Sequence, residues 1–344
     1  MANAEEWRAR GAVAIQELLA REGAATQTEM EAKISDRRTG TWRVQPHHLT
    51  TARQRLVDAG VVEVTSEPTR GSRKVTTYQL ADHPQKAAQR AAGRKRLLHT
   101  RFVSWSDPTG EWRPTPISAL EHVVHASLLA AAPYGYRLLR PDGGEVPRLF
   151  GVPVPGGSLD NAAFYTGMGV DGTPLPPVVV SIEVKNVRGW IYPSTQELYQ
   201  LLEKSARLQI AHPDQRFMPV FVCRRMHPSL GWMAKHLGFY AIATWRQYIR
   251  PVVAADETGL RLFNEVDSEL GYNLELHEGV VQPMVRHFTT LLPKNMLTSV
   301  DRWSAVAQRP AVPGLLSHLR DDRISRNDRH MTKNELAEAA EEAR

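Results

Sequence analysis

Val178-Val179-Val180-Ser181-Ile182-Glu183-Val184-Lys185-Asn186 is the stretch on which the fold turns. Three consecutive valines after Pro176 and Pro177 predict a β-strand. Side chains alternate across a strand, so Ser181, Glu183 and Lys185 fall on one face and Val180, Ile182 and Val184 on the other. A carboxylate and an ammonium therefore sit side by side on a strand that otherwise reads as core. An exposed edge strand carries such a pair harmlessly, but edge strands rarely open with so long an apolar run.

The flanking sequence supplies companions for the pair. Asp160 opens the β-prone run 160–165 just after Gly156 and Gly157, which let the backbone bend. A turn at Asp171 and Gly172 and the prolines of 173–177 lead back into the valine strand, so an acid on one strand and Glu-Val-Lys on the next can converge at one end of a bent hairpin. Between this hairpin and a helix predicted from Pro116 lie two strand-like or loop-like segments, 134–141 and 148–154. The helix is apolar at Ile117, Leu120, Val124, Leu128 and Ala131, with Glu121 and His125 on its more polar flank. Glu121 reads either as an auxiliary metal or water ligand or as an ordinary surface acid. His122 and His125 have a metal-compatible spacing that structural or solvated histidines share.

Beyond the valine strand, Ser194 and Glu197 have capping-box spacing, and Leu198, Leu201, Leu202 and Leu208 make the packing face of a helix laid back on the sheet. Gln196 and Gln200 fall on its polar side. A buried strand over 216–225, a helix over 229–238 ended by Gly238 and a further strand over 239–249 complete the pattern.

This arrangement resembles the PD-(D/E)xK nuclease superfamily, the restriction-endonuclease-like fold. The matched residues are Asp160 for the first acid, Glu183 and Lys185 for the (D/E)xK element, and Glu121 for the acid some members carry on the preceding helix. Leu159 stands where the motif's name has proline. The resemblance implies an α/β chain, α+β overall, with an αβββαβαβ core over 116–249 inside a nuclease-like domain spanning 114–250. It also implies metal-dependent hydrolysis of phosphodiester bonds, with Lys185 orienting the nucleophile or steadying transition-state charge. Gln196 matches the glutamine that some members place near the start of the following helix, and reads equally as a solvent-facing residue. Two carboxylates about 4 Å apart repel by roughly 4 kcal/mol at an effective dielectric of 20, so Asp160 and Glu183 need a partner. Lys185 offsets one charge. The remaining negative charge and the oxygen-rich setting favour Mg²⁺ or Mn²⁺, with the Val184 carbonyl as a third protein ligand.

The N-terminal third has a different character. The chain carries a net charge of +6, and residues 1–106 hold 18 Lys and Arg against 11 Asp and Glu, which leaves the remainder almost neutral. A basic module on a neutral body points to a polyanion partner, most economically a nucleic acid, the alternative being a merely solvated basic surface. Apolar spacing predicts a helix over 5–21 closed at Gly23, a short second helix after a Thr26/Glu29 capping box, and a third helix over 46–59. In the third helix Leu49, Ala52 and Leu56 are the buried stripe, while His47, Thr51, Gln54, Arg55 and Asp58 point outward. Arg53 lies nearer the stripe and is expected to pair internally or snorkel. Two strands follow, with Arg70, Arg73 and Lys74 at their turn.

This order resembles the winged helix-turn-helix family over 5–81, which implies a DNA-binding domain over 1–82. In it His47, Thr51, Gln54 and Arg55 would read base edges and phosphates, and Arg70, Arg73 and Lys74 would form a wing along the backbone. Winged helices also serve as protein-docking modules. Residues 83–113, rich in Ala, Lys and Arg, read as a connecting helix or basic linker.

At 344 residues the chain is long enough for two or three domains of about 100 to 200 residues. It has no run of roughly 20 apolar residues and no hydrophobic signal-peptide core at its start, which implies a cytoplasmic protein without a membrane partner. The single cysteine, Cys223, lies in an apolar strand and excludes disulfide frameworks and CxxC metal sites. Residues 251–344 read as mainly helical, with a charged helix or frayed end from 332.

The expected function is a metal-dependent endonuclease acting on DNA, expected to be double-stranded, and a genome-defence role such as restriction would suit the architecture. Cutting both strands often needs two active sites, so a homodimer is expected. The alternatives are a non-catalytic DNA-binding regulator with a nuclease-like scaffold, and a nuclease of RNA or of DNA junctions on the same fold.

Overall fold

The computed structural model describes residues 3–36, 43–68, 74–169 and 171–343 of a mixed α/β chain. It divides into two compact units, one of Met1–Ile117 with Trp245–Leu276, the other of Ser118–Thr244 with His277–Arg344.

In the first unit, helix α1 (Ala4–Glu22) starts on a capping box between Asn3 and Glu6 and closes at Gly23. Strand β1 (Ala25–Thr26) leads into α2 (Gln27–Met30), where the capping box expected of Thr26 and Glu29 forms. Helix α3 (Pro46–Asp58) begins on a proline, whose missing N–H costs nothing at a first turn, and buries Leu49, Ala52 and Leu56 as expected. Strands β2 (Val62–Pro68) and β3 (Lys74–Leu80) form an antiparallel hairpin, and β1 joins β3 to give the order β1-β3-β2. Ile15, Leu18, Leu19, Leu49, Leu56 and Val62 make the core between these elements. The basic segment that follows is a single helix, α4 (Gln85–Ser104).

The second unit opens with α5 (Ala119–Ala130), strand β4 (Tyr136–Leu138) and a small hairpin of β5 (Arg148–Leu149) and β6 (Val152–Pro153). Next come β7 (Asn161–Tyr165), β8 (Val178–Lys185), α6 (Gln196–Ala211), β9 (Arg216–Cys223), α7 (Pro228–Leu237) and β10 (Tyr240–Ala243). Five of these strands form one sheet in the order β10-β9-β8-β7-β4. The pairs β4/β7 and β7/β8 are antiparallel, and β8/β9 and β9/β10 are parallel, with α6 and α7 as the crossovers. The valine strand is therefore central, which explains its apolar opening.

Two local expectations are corrected here. The Ser194/Glu197 capping box does not form: α6 starts one residue later, and Thr195 Oγ1 accepts instead from the Tyr192 N–H at 2.8 Å. The strand expected over 239–249 breaks after Ala243, where Trp245 takes a left-handed φ of 68°. Its second half, β11 (Gln247–Ile249), pairs in parallel with β12 (Leu274–Leu276) in the first unit. Helix α8 (Glu257–Leu270) lies between them in sequence, and Phe263, Val266, Leu270 and Tyr272 share a core with Leu98, Phe102 and Trp105 of the α4 region. Residues 251–276 thus belong with the N-terminal third rather than with the rest of the C-terminal region.

The remaining helices complete the second unit: α9 (Gln282–Arg286), α10 (Leu292–Ala307), α11 (Val312–Arg320) and α12 (Arg326–Glu342). The charged tail is not frayed, because Leu336 and Ala340 of α12 are buried in the same core as Leu202, Phe221, Trp303 and Leu316. No described helix is long and apolar enough to cross a membrane. Cys223 is buried as a free thiol.

Candidate functional site

The alternation of β8 decides where its charges go. Ser181 Oγ lies 2.9 Å from Ser205 Oγ, and Lys204 Nζ donates to Glu183 Oε2 at 3.1 Å, so the polar face of β8 is turned onto helix α6. Glu183 is only 1 % exposed. Its other oxygen, Oε1, accepts from Lys185 Nζ at 2.9 Å. A buried carboxylate is tolerable only when paired and hydrogen-bonded, and here each oxygen has its own ammonium.

Asp160 joins this pair through strand register. Asn161 of β7 is opposite Ile182 of β8, so the antiparallel register continued by one residue sets Asp160 beside Glu183. The ladder has ended there, and Asp160 Oδ2 accepts from the Val184 main-chain N–H at 2.6 Å. The N–H and C=O of one residue in an extended strand point the same way, so the Val184 carbonyl also faces the Asp160 side. Lys204 reaches the same loop, donating to the Ser158 carbonyl at 2.6 Å.

The electrostatics record this convergence. Asp160 is pushed up to about 6, first by burial and then by the Glu183 charge, against the opposing pull of Lys185, the Val184 N–H and Lys204. Glu121, in the first turn of α5, is pushed up to about 7 by withdrawal from water and by Asp160, although its residue keeps one side open to solvent. Burial works against the Lys185 ammonium, but Glu183, Asp160 and Glu121 outweigh it and raise its pKa above the ordinary lysine value. Three carboxylates and two ammoniums thus share one neighbourhood, with one negative charge in excess when all are ionised.

That excess and the all-oxygen donor chemistry fit a hard divalent cation, and the repulsion that raises Asp160 and Glu121 is what such a cation would relieve. Among the described residues, no three His, Cys, Asp or Glu side chains converge closely enough to hold a metal by themselves. Asp160, Glu183 and the Val184 carbonyl are the oxygen donors gathered where β7 and β8 part.

Other expected members of the site lie elsewhere or are engaged differently. Gln196 is exposed on the first turn of α6, and its side chain makes no hydrogen bond among the described residues. Helix α6 does send a side chain to the cluster, but it is Lys204, eight residues and about 12 Å of helix further on. A signal for it exists in the sequence: Leu201, Lys204, Ser205 and Leu208 follow i, i+3, i+4, i+7 spacing, which puts a lysine on the packing stripe. His125 is held by Asn161 Oδ1 at 2.9 Å and the Pro141 carbonyl at 3.0 Å, a structural arrangement tying α5 to β7.

In the first unit, His47, Gln54, Arg55 and Asp58 are exposed on α3, and Thr51 is half-buried with its hydroxyl bonded back to the His47 carbonyl. Gln54 donates to Asp58 at 2.8 Å, and Arg55 forms an ion pair with Glu5. Arg53 stacks over the Tyr78 ring at 4.9 Å, as its place beside the buried stripe predicts. Lys74 is exposed at the start of β3, whereas Arg70 and Arg73 lie outside the described residues. Several of the basic residues that gave this third its charge are spent internally. Lys33 and Lys95 both bind the buried Glu29 carboxylate, at 2.7 and 2.6 Å, and Arg94 and Arg96 pair with Glu269 and Glu67. Lys74, Lys86, Arg90 and Arg101 remain exposed cations.

No family model matches the chain, and no match was found among curated proteins or among solved structures.

Proposed function

We propose that the chain is a metal-dependent endonuclease of the PD-(D/E)xK, restriction-endonuclease-like type, hydrolysing phosphodiester bonds of DNA. The observation that carries this reading is the meeting of Asp160, Glu183 and Lys185 where β7 and β8 part, with Asp160 bonded to the Val184 N–H. A sheet in the order β10-β9-β8-β7-β4 with crossovers α6 and α7 supports the αβββαβαβ core. The sequence of α1, α2, α3 and the β2/β3 hairpin, with β1 on the sheet edge, supports a winged helix-turn-helix reader.

Phosphodiester hydrolysis needs an activated water, neutralisation of the scissile phosphate and protonation of the leaving alkoxide. Asp160, Glu183 and the Val184 carbonyl would hold Mg²⁺ or Mn²⁺, which when bound supplies Lewis-acid activation of water and phosphate. Lys185, kept protonated by its acidic neighbours, orients the nucleophile and donates to the non-bridging phosphate oxygens as charge develops on them. Glu121, pushed up to about 7, accepts the proton of the attacking water, and the leaving alkoxide takes its proton from solvent water. The winged module binds duplex DNA through α3 and the basic hairpin, an arrangement suited to genome defence such as restriction, and two copies would cut both strands.

Incubating plasmid DNA with the protein and Mg²⁺ or Mn²⁺ tests this. Cleavage should occur with the wild type and fall at least a hundredfold in Glu183→Ala and Lys185→Ala. Cleavage that survives both substitutions sinks the site assignment. A second reading, a non-catalytic DNA-binding regulator, draws on the closure of both Glu183 oxygens by lysines. DNA binding without cleavage of any DNA or RNA under these conditions would favour it.

A further inference from the structure

The two lysines on Glu183 are not equivalent. Lys204 rises from the middle of α6 with a side chain 1 % exposed, and it bridges Glu183 Oε2 at 3.1 Å to the Ser158 carbonyl at 2.6 Å. Leu201, Leu202 and Leu208, all fully buried, and the Ser205–Ser181 hydroxyl contact lock this helix onto β8. To let go of Glu183, Lys204 would have to leave a buried anion uncompensated, or drag the helix with it. Lys185 is the last residue of β8, its side chain is 21 % exposed, and its hydrogen bond goes to Glu183 Oε1 at 2.9 Å. At the strand's end it can turn to water without moving a helix, provided another cation takes its place on the buried Oε1.

We propose that Lys204 is a positioning residue that permanently fixes the Glu183 carboxylate, and that Lys185 is the exchangeable partner, leaving Oε1 when a divalent cation binds there. The inference rests on the nuclease reading above and deepens it. Ser158 is two residues before Asp160, so the Lys204 ammonium spaces both acids at once, one by its carboxylate and one through its loop. Lys185 then serves as an internal counter-ion while no cation is present and as a free ammonium for the phosphate once one has entered. A divalent cation that enters as Lys185 turns away brings two charges for the one withdrawn, which takes the cluster from one net negative charge to neutrality.

The test uses the full chain without DNA, and Ca²⁺ or Mg²⁺ alone as the probe. Lysines are acylated with a soluble amine reagent and the modified peptides quantified by mass spectrometry, with and without the cation. Lys185 labelling should rise at least threefold on adding cation, while Lys204 stays unlabelled in both states. Calorimetric titration with Ca²⁺ supplies the second readout: affinity should fall at least tenfold in Lys204→Met, recover in part in Lys204→Arg, and hold or improve in Lys185→Met, where the competitor is gone. A purely structural Lys204 would leave the affinity of folded Lys204→Met unchanged. Should Lys204→Met fail to fold, the labelling of the wild type and the titration of Lys185→Met still decide the matter. Cation binding with unchanged Lys185 labelling, or with weaker binding by Lys185→Met, overturns this inference and leaves the nuclease reading standing. Absence of cation binding by the wild type overturns both.

Discussion

Asp160 carries the pH behaviour of the site. Its carboxyl has an ordinary value of 3.8 and titrates at about 6 in the folded chain, so between these values the folded state holds a proton that the unfolded state has lost. The stability it contributes is therefore full below about pH 4 and is lost as the pH rises through 6, and Glu121 adds a loss of the same sign through about 7. Replacing Asp160 by Asn keeps an acceptor for the Val184 N–H and removes the ionisation. We expect Asp160→Asn to be more stable than the wild type at pH 8 by about 1 to 3 kcal/mol, at 1.36 kcal/mol per pKa unit, and equal to it at pH 4. Urea denaturation at the two pH values reads this directly, and a variant less stable than the wild type at pH 8 would refute it. Activity should rise through the same interval, as Asp160 and then Glu121 ionise. Asp160, Glu183 and Lys185 were legible because a strand has period two and its register is rigid, so linear spacing translates into proximity. Lys204 was not, because a lysine inside a helix is read as solvent-facing unless its stripe is checked residue by residue. Gln196 sits at a helix start, where exposure follows from the chain's approach to the helix rather than from spacing.

Elements stand or fall on how closely their backbones approach, and α7 and α10 show this at one residue. Gly238 ends α7 with a left-handed φ of 84°, and a Cβ there would overlap main-chain atoms of Ser299, Arg302 and Trp303. Main-chain atoms cannot turn aside as a side-chain tip can. Gly238→Ala should destabilise the protein by more than about 3 kcal/mol, from a strained φ together with displacement of α10 from the core. A thermal shift below about 2 °C would contradict the packing described. Most element types were legible from periodicity, and the capping boxes at Thr26 and the glycine stop at Gly238 were legible from local hydrogen-bond chemistry. The break in 239–249 was not, because no glycine or proline marks it; Trp245 takes the left-handed turn, and only the pairing of Gln247–Ile249 with Leu274–Leu276 explains why the chain turns there. The capping box at Ser194 failed for a comparable reason, since the Thr195 hydroxyl satisfies the Tyr192 N–H and the helix starts beyond it.

At the scale of the whole molecule, the basic N-terminal third and the acidic cluster at the end of β8 are separate assignments and should fail separately. The net charge of residues 1–106 overstates what a polyanion meets, because Lys33, Lys95, Arg94, Arg96 and Arg55 are already paired with acids. On the nucleic-acid reading proposed above, phosphate affinity would fall to the exposed Lys74, Lys86, Arg90 and Arg101, together with Arg70 and Arg73, which lie outside the described residues. Each phosphate neutralised contributes about 0.9 to the slope of log affinity against log salt. Replacing Arg70, Arg73 and Lys74 together by Ala should therefore lower that slope by roughly 2 to 3 on duplex DNA and weaken binding across all sequences alike. Glu183→Ala should bind the same duplex with an unchanged slope while losing cleavage. Fluorescence anisotropy over a salt series, run beside the plasmid assay, measures both variants. A triple variant whose slope equals the wild type's would remove the hairpin from the contact surface. A Glu183→Ala variant that lost DNA affinity as well as cleavage would mean that the acidic cluster takes part in holding the nucleic acid, so binding and cutting could no longer be assigned to different units.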